Sequence, residues 1–263
     1  MTAQVLVIPA GRAHSNHAAV ARSIGADIVR GHYAEGARLP GDAELTERFG
    51  VSRPVLREAV KTLVAKGLLS TKTRIGTVVR ERTAWNLFDP DVLAWHLDAG
   101  IDKRFLRDLA EIRLAVEPRA AALAAERRRA GDIAALEAAV GRMGAAAGAG
   151  EGFAEGGFAE ADLAFHLAVA NASGNAFMRS IGAVIEVALR ASFALSAPAG
   201  GPEHDAVVAA HARIAAAIAA GDGEAAAAAM TRVILNGLGR HGAADRPGAA
   251  VAETAGRPAG EDA

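Results

Sequence analysis

A carboxylate and an imidazole stand four residues apart in a stretch that is otherwise almost entirely apolar. The stretch is "ADLAFHLAVANASGN" at 161–175, and the pair is Asp162 and His166. In a helix, residues i and i+4 project from adjacent turns of one face, so both side chains can reach one ion. His211 lies in a second apolar segment, at 205–222, and is expected to point inward as well. The three residues predict a divalent-metal site on two helices; the alternative is three hydrogen-bonded core residues.

A further charged residue, Arg113, stands in the amphipathic segment 103–128, in which Pro118 is a possible kink. A buried guanidinium destabilises a fold unless a partner accepts its hydrogen bonds and balances its charge. Its planar shape allows two parallel hydrogen bonds to one carboxylate. The residue alone leaves two partners open. One is the carboxylate of a bound ligand, and the other is Glu117, four residues further along the same helix.

The elements that would position these residues are helices. The spacing of apolar residues predicts them, beyond 103–128, at about 131–147, 156–172, 175–195, 203–220 and 222–240. A preceding connector, 81–100, is too apolar for a free linker because it contains Trp85, Phe88, Leu93 and Trp95. The glycine-rich stretch 144–157 is expected to be a flexible connection, and 241–263 a disordered tail.

Two helices separated by a glycine corner are predicted in the N-terminal third. They follow a first helix within 17–33, whose apolar residues at helical spacing are Val20, Ile24 and Ile28. The second helix covers about 42–49, Gly50 makes the corner, and a longer helix runs to Lys66. Ser52 is predicted to cap the longer helix, its hydroxyl accepting from backbone N–H groups of the first turn. This order predicts a helix-turn-helix.

The longer helix has two distinct faces. The apolar residues assigned to the core are Leu56, Val60, Leu63 and Val64. The basic residues that repeat every four positions on another face are Arg53, Arg57 and Lys61. Two short β-like runs follow at 68–80, around a basic tip with Lys72, Arg74 and Gly76. A helix that fits the major groove beside a basic hairpin predicts a winged DNA-binding head; the alternative for the basic stripe is a solvated charged face.

Composition narrows the class of protein. The chain has 263 residues, a formal charge of −1 and no cysteine, which excludes disulfides and thiolate metal ligands. The charge is uneven, because residues 12–82 carry +6 and the rest −7, as expected for a nucleic-acid module joined to an acidic body. The apolar run at 5–10 is too short for a signal peptide, and no stretch approaches the roughly 20 apolar residues of a membrane span. We expect a cytoplasmic protein of two domains.

Residues 24–80 resemble the winged helix-turn-helix of GntR-type transcription regulators. The motifs that carry the resemblance are "G.RLP", "EL", "FGVSR", "LREA", "L..KGL" and "GT.V". The resemblance implies that Arg38 contacts the DNA backbone and that Gly76 lets the wing approach the minor groove. With the stripe and the hairpin, the predicted DNA-binding residues are Arg38, Ser52, Arg53, Arg57, Lys61, Lys72, Arg74 and Gly76. The chain departs from the family at Ala43, where an arginine is frequent.

Residues 101–240 resemble the FCD ligand-binding domain of the FadR branch. The resemblance rests on "EIRLAVEP", "DLAFH", "ASGN" and "H…A…AGD". In metal-binding members an aspartate and three histidines hold a divalent cation such as zinc, nickel or manganese. Asp162, His166 and His211 match three of these positions, whereas the fourth falls at Val233, which cannot coordinate a metal. The resemblance therefore implies a three-ligand site that leaves positions open for water or for oxygens of an effector.

The same resemblance implies an organic-acid effector whose carboxylate faces Arg113. Asn175 and Asn236 complete the predicted effector contacts, Asn236 because it lies one turn beyond Val233. The connector at 83–97 resembles that of a family member that responds to a sugar acid, which makes galactonate or a related aldonate the leading candidate. Lactate, uronate and pyruvate-like ligands use the same carboxylate chemistry and stay open.

The predicted fold is mainly α. A winged helix-turn-helix at 14–80 and a packed connector at 81–100 precede an all-helical FCD-type domain at 101–240. We expect a homodimeric repressor that binds a pseudo-palindromic operator, and an effector whose binding releases the repressor from that operator. The alternative is a metal-dependent enzyme that activates water, but there is no HExxH motif and no clearly placed general base.

Overall fold

The computed structural model describes residues 13–100, 103–146, 157–195 and 202–243. Within them the chain divides into two compact units, one from residues within 1–109 and 175–191, the other from residues within 110–174 and 192–263. Over these ranges no helix is both long and apolar enough to cross a membrane. The predicted tail beyond residue 243, and the larger part of the glycine-rich stretch 144–157, lie outside the described residues.

The first unit begins with three helices and a two-stranded antiparallel sheet. These elements are α1 (Ala13–Val29), α2 (Asp42–Phe49), α3 (Arg53–Ala65), β1 (Leu69–Lys72) and β2 (Gly76–Val79). Gly50 ends α2 in the left-handed conformation, with φ 61° and ψ 35°, which is the predicted corner. Leu69 pairs with Val79 at one end of the sheet, and Lys72 with Gly76 at the other. The predicted winged helix-turn-helix is confirmed.

One core joins these helices, the sheet and the connector. Its buried residues from α1 and α3 include Val20, Ile24, Ile28, Leu56 and Leu63. The connector contains a short 3-10 turn, Arg82–Ala84, and α4 (Pro90–Ala99). Trp95 of α4 belongs to the same core. A Cβ on Gly25 would lie 2.3 Å from the Trp95 ring, so the glycine allows α1 and α4 to pack this closely.

Val64, which the sequence assigned to the core, and Phe88 of the connector are both exposed. Val64 is 36 % exposed and Phe88 57 %. Since a helix turns about 100° per residue, a core face centred on Leu56, Ala59 and Leu63 leaves Val64 at its rim. Phe88 lies in the turn before α4, outside the helix face that carries Trp95.

The predicted side-chain cap of α3 is wrong. Ser52 occupies the N-cap position, with φ −74° and ψ 156°, but its hydroxyl makes no capping hydrogen bond. Ser52 is exposed, so water can satisfy the N–H groups of the first turn.

The helix predicted over 175–195 is interrupted. It consists of α8 (Ala176–Ser180) and α9 (Gly182–Leu195). Ile181, with φ −84° and ψ 5°, separates them, and Gly182 after it has a low helix propensity. Val184, Val187 and Ala188 of α9 form a second apolar cluster of the first unit with Leu93 and Phe105.

The second unit consists of long helices rich in alanine. They are the later part of α5 (Lys103–Arg127), α6 (Ala130–Ala145), α7 (Phe158–Ala172), α10 (Pro202–Ala220) and α11 (Gly223–Ala243). Helix α6 packs against α7 and α10, and α10 packs against α11. Pro118 lies inside α5, which continues through it as one helix.

Two consecutive arginines at the end of α5 close the ends of other helices. Arg127 donates to the carbonyl oxygen of Ser173 at 2.7 Å, directly after α7. Arg128 donates from Nε to the carbonyl oxygen of Ala219 at 2.9 Å, in the last turn of α10. Cations at these positions satisfy carbonyl groups that the helix leaves without partners. Helices α7 and α10 are the two that carry the candidate metal ligands.

Candidate functional site

The first unit presents an exposed basic surface. Arg53 and Arg57 are exposed on α3, while Leu56, Ala59 and Leu63 on its other side are buried in the core. The remaining predicted DNA-binding side chains that are exposed are Arg38, Ser52, Lys61, Lys72 and Arg74. A helix held by its apolar face and basic on its outer face has the form that the major groove accepts.

Lys61 differs from the two arginines of the stripe. Its Nζ lies 2.7 Å from Oε1 of Glu58. The hydrogen bond and the charge of Lys61 lower the pKa of the Glu58 carboxyl. Over the described ranges, no salt bridge engages Arg53 or Arg57. The two arginines near the start of α3 therefore carry the more available positive charge.

The tip of the hairpin has an unusual backbone. Arg74 has φ 67°, a left-handed conformation that is rare for a residue with a side chain. Gly76 has φ +101°, and a Cβ there would lie 2.9 Å from Nε of Arg38. Arg38 also forms an isolated bridge with Val78 of β2. Gly76 therefore has a role within the head itself, because its lack of a side chain gives the Arg38 guanidinium a place beside the wing.

The second unit brings Asp162, His166 and His211 together. One ligand atom from each lies within 4.8 Å of the others, and all three residues are buried. Nε2 of His211 lies 3.0 Å from Oδ1 of Asp162. Nε2 of His166 lies 3.5 Å from Nε2 of His211 and 4.0 Å from Oδ2 of Asp162. Helix α7 supplies the first two residues one turn apart, and α10 supplies the third.

Both imidazoles are oriented by contacts behind them. Nδ1 of His166 lies 2.5 Å from Oε2 of Glu117. Nδ1 of His211 lies 2.8 Å from the carbonyl oxygen of Val207, which can only accept a hydrogen bond. Donation from Nδ1 leaves Nε2 of each ring directed into the cluster. Metal-binding histidines commonly donate their second ring nitrogen to a carboxylate or a carbonyl in this way.

The spacing of the donor atoms suits a small divalent cation. Two nitrogen ligands about 2.1 Å from one ion stand roughly 3.4 Å apart at a tetrahedral angle, and the two Nε2 atoms are 3.5 Å apart. One carboxylate with two imidazoles is a donor set that zinc, nickel and manganese accept. The residues present therefore fit the cation that the family resemblance implies.

Arg113 lies beside this cluster and is paired within its own helix. Its Nε donates to Oε1 of Glu117 at 2.5 Å, which is the intrahelical partner considered from the sequence. Its Nη2 is also 3.4 Å from Oε2 of Glu117 and 3.5 Å from Nε2 of His166. Arg113 is 7 % exposed, so it is a buried cation next to the candidate metal ligands.

The charges of the cluster keep both carboxylates ionised. Burial acts to raise the pKa of Glu117, but the charges of Arg113 and His166 and their hydrogen bonds outweigh it and lower that pKa to about 2. Burial likewise opposes ionisation of Asp162. The hydrogen bond and charge of His211, with the charges of His166 and Arg113, nevertheless lower the Asp162 pKa. Two carboxylates and one guanidinium give a formal charge of −1 when both histidines are in the neutral form, which is the form that binds a cation.

Glu117 is a residue of the site that sequence reasoning treated only as a possible partner of Arg113. Its contact with His166 joins residues 49 positions apart in the sequence, which no local spacing reveals. The available signal was weak: a carboxylate in an apolar helix segment, one turn after a buried arginine.

The two predicted asparagine contacts have structural settings of their own. Asn175 is the N-cap of α8, its side chain accepting from the backbone N–H of Phe177 at 2.9 Å, and it belongs to the first unit. Asn236 is exposed on α11, and Val233, the fourth family position, is half-buried. Neither asparagine position adds support to an effector contact.

The sequence matches two families of known domains. Residues 16–79 match the family described as bacterial regulatory proteins, gntR family. Residues 108–236 match the FCD domain family. The first match covers the helix-turn-helix and the hairpin, and the second includes every residue of the buried cluster.

The sequence is similar to those of known transcription regulators. The chain is 37 % identical over 171 residues to the galactonate operon transcriptional repressor of Escherichia coli, covering 65 % of this chain and 72 % of that protein. It is 32 % identical over 215 residues to the HTH-type transcriptional regulator LutR of Bacillus subtilis, covering 80 % and 93 %. The solved structure of Lar from Listeria monocytogenes is 19 % identical, with a TM-score of 0.59, and covers 86 % of this chain and 96 % of that chain. The likeness to Lar concerns the fold alone.

Proposed function

The chain belongs to the gntR family of bacterial regulatory proteins and carries an FCD domain, and on that premise we propose that it represses a sugar-acid catabolic operon. A carboxylate effector, galactonate or a related aldonate, releases it from the operator. The matching families and relatives are transcription regulators, so the chain is a transcription regulator and not an enzyme.

The observation that carries the proposal is the burial of three cation ligands next to a guanidinium in one cluster. Asp162, His166 and His211 would hold a zinc, nickel or manganese ion, and Arg113 stands beside them. When bound, such a cation supplies a Lewis acid that attracts carboxylate and hydroxyl oxygens. A divalent cation would change the formal charge of the cluster from −1 to +1, and one effector carboxylate then neutralises it.

The choice of a sugar acid is supported by the relative that regulates a galactonate operon. Three ligands leave room for oxygens of the effector, and a 2-hydroxy acid offers two oxygens on neighbouring carbons. Lactate, uronates and pyruvate offer similar oxygens, so they are the competitors that a binding experiment must include.

DNA recognition is proposed for the exposed basic surface. Arg53 and Arg57 would enter the major groove and read bases, while Arg38, Lys72 and Arg74 would contact phosphates or the minor groove. We further propose that the protein acts as a homodimer, because two identical heads match the two halves of a pseudo-palindromic operator.

The test is operator release in the presence of candidate effectors. An operator duplex is selected from a random library, and fluorescence anisotropy follows its binding to the full chain after removal of metal by EDTA. Galactonate, lactate, glucuronate and pyruvate are added with and without Zn²⁺, Ni²⁺ or Mn²⁺. We expect galactonate to release the operator, and to do so at lower concentration when the cation is present.

Arg113→Met is expected to bind the operator but to resist release, since it lacks the guanidinium that meets the carboxylate. Arg119→Met is the matched control, because Arg119 is an exposed arginine on the same helix. Release by lactate, a uronate or pyruvate instead of galactonate would reassign the effector. Full release of Arg113→Met by galactonate would remove Arg113 from effector recognition.

A further inference from the structure

Glu117 touches both functional parts of the buried cluster. We propose that it is the positioning residue of this site: its carboxylate holds the guanidinium of Arg113 and the imidazole of His166 at the same time. One side chain thereby fixes the positions of both the proposed anion-binding group, Arg113, and a proposed cation ligand, His166. This inference rests on the proposed function, since it assigns Glu117 a role toward the same cation and effector.

The two oxygens of Glu117 serve different partners. Oε1 accepts from Nε of Arg113 at 2.5 Å, and Oε2 accepts from Nδ1 of His166 at 2.5 Å. Glu117 is 3 % exposed, so water does not compete for either contact. Because both partners contact the same buried carboxylate, a displacement of one partner moves the carboxylate and so displaces the other partner.

The contact with His166 decides which ring nitrogen faces the cation. A carboxylate accepts but does not donate, so the hydrogen of the neutral imidazole is held on Nδ1 and the lone pair is left on Nε2. Nε2 is the atom that lies 3.5 Å from Nε2 of His211, in the cluster. Without Glu117, the ring is free to place its hydrogen on Nε2, where it opposes a cation.

The contact with Arg113 keeps the guanidinium away from the other buried carboxylate. Nη2 of Arg113 lies 3.5 Å from Nε2 of His166, and that nitrogen is 4.0 Å from Oδ2 of Asp162. The Asp162 oxygens are among the atoms that a cation needs. A guanidinium without Glu117 would turn toward Asp162 and compete with the cation for those oxygens. Glu117 therefore protects two ligands, His166 through its ring and Asp162 by holding Arg113.

The first measurement reads the imidazole directly and requires neither cation nor effector. The full chain is labelled with ¹⁵N-histidine, and long-range ¹H–¹⁵N spectra report which nitrogen of each ring carries a hydrogen. Substituting His166 by Asn identifies its signals. We expect His166 to carry its hydrogen on Nδ1 in the wild type and to shift toward Nε2 in Glu117→Gln. An unchanged His166 spectrum in Glu117→Gln would overturn the proposal.

The second measurement is the affinity for Ni²⁺ or Zn²⁺ alone, by titration calorimetry. Substitution of groups that orient a metal ligand weakens metal binding by about 10–100-fold, and we expect a loss of that size in Glu117→Gln. The matched control is Glu126→Gln, which removes the same charge from an exposed position of α5 and should leave the affinity unchanged. Metal binding by Glu117→Gln as tight as in the wild type contradicts the proposal.

A double variant guards against simple unfolding. Glu117→Gln leaves the Arg113 charge buried and unpaired, whereas Arg113→Met with Glu117→Gln removes both charges. The double variant should fold and keep the altered His166 spectrum, and Arg113→Met alone should keep the wild-type spectrum. A wild type that binds no cation would overturn the metal part of the proposed function, while the His166 spectra would still decide the role of Glu117.

Discussion

Among single residues, Arg53 is the one on which sequence-specific DNA binding should depend most. It is exposed at the start of α3, and no salt bridge of the described residues engages it. An arginine that reads a guanine bidentately contributes about 1–3 kcal/mol of discrimination per contact. We expect Arg53→Ala to lose most of the preference for operator over a scrambled duplex, measured by anisotropy for both.

Arg22 provides the comparison, because it is an exposed arginine of α1 in the same unit. Arg22→Ala removes the same charge, so it should change affinity for both duplexes to a similar small extent. Equal operator preference in Arg53→Ala and wild type would exclude Arg53 from base reading.

Gly76 tests whether the hairpin positions Arg38. A Cβ at Gly76 would meet Nε of Arg38 at 2.9 Å and would sit at φ +101°. Gly36 also has a positive φ, +78°, but a Cβ there would have nothing within 4 Å. Backbone strain of this kind amounts to roughly 1–3 kcal/mol. Urea unfolding should therefore show that both alanine variants have a lower free energy of unfolding than the wild type. The decrease should be larger for Gly76→Ala than for Gly36→Ala.

The two glycine variants should also differ in DNA binding. Gly76→Ala displaces Arg38 and should weaken binding to operator and scrambled DNA alike, as loss of a phosphate contact does. Gly36→Ala should bind both as the wild type does. Wild-type DNA affinity in Gly76→Ala would mean that Arg38 needs no support from the wing.

At the scale of elements, Lys66 ties the end of α3 to the start of α4. Its Nζ lies 2.6 and 2.8 Å from the two oxygens of Asp89 and 2.8 Å from Asp91. Asp89 is also the N-cap of α4, accepting from the backbone N–H groups of Asp91 and Val92. Hydrogen bonds to a charged group contribute roughly 1.5–3 kcal/mol, so Lys66→Met should lower the free energy of unfolding by that order.

The pH dependence of this effect has a definite sign. Burial acts to lower the pKa of Lys66, but the hydrogen bonds and charges of Asp89 and Asp91 outweigh it and raise the pKa above its ordinary 10.5. The contribution is therefore complete below pH 10.5 and is lost as pH rises through the folded-state pKa. Unfolding curves from pH 7 to 11 should show the difference between wild type and Lys66→Met shrinking only at the alkaline end.

Lys61→Met is the matched control, since Lys61 pairs with Glu58 at an exposed position and such pairs contribute little. If the difference in free energy of unfolding between wild type and Lys66→Met already decreases between pH 7 and 9, the ion pairs of Lys66 do not stabilise the contact between α3 and α4 as proposed. Equal destabilisation by the two lysine variants would lead to the same conclusion.

For the molecule as a whole, local patterns predicted more of the elements than of their contacts. The spacing of Leu56 and Leu63 defined the inner face of α3, and the i, i+4 pair Asp162 and His166 defined a polar pair on one turn of α7. Both signals lie within one helix, where the periodicity of 3.6 residues is visible in the sequence. These patterns, together with the family resemblance, predicted the winged helix-turn-helix and the helical domain that follows it.

What the sequence did not predict depends on contacts between distant segments. The double contact of Glu117 needs α5 and α7 to pack, and the closing of α10 by Arg128 needs residues 91 positions apart. Val64 was misplaced because the core direction is set jointly by several elements, not by α3 alone. The break at Ile181 left no proline and only a glycine as a signal, which is weak.

The last prediction concerns coupling between operator and effector in the whole molecule. If galactonate weakens operator binding by a given factor, then operator must weaken galactonate binding by the same factor, because the two binding free energies share one thermodynamic cycle. Calorimetric titration of galactonate into the protein with Ni²⁺, alone and saturated with operator duplex, measures the second factor; anisotropy gives the first. A coupling of about 1–3 kcal/mol is typical of allosteric proteins, which is roughly 5–150-fold in affinity.

Two controls separate coupling from direct competition. A scrambled duplex at the same charge should leave galactonate affinity nearly unchanged, since only the operator is bound tightly enough to select one state. Arg113→Met should abolish the coupling by abolishing galactonate binding, while Arg119→Met keeps both. In direct competition, the apparent affinity for galactonate keeps falling in proportion to operator concentration. That result would mean that the acid binds the basic head of residues 12–82 and not the buried cluster. A finite and equal factor in both directions would place the effector at a site other than the basic head. The cluster proposed for it, Asp162, His166 and His211, consists of residues of the second unit.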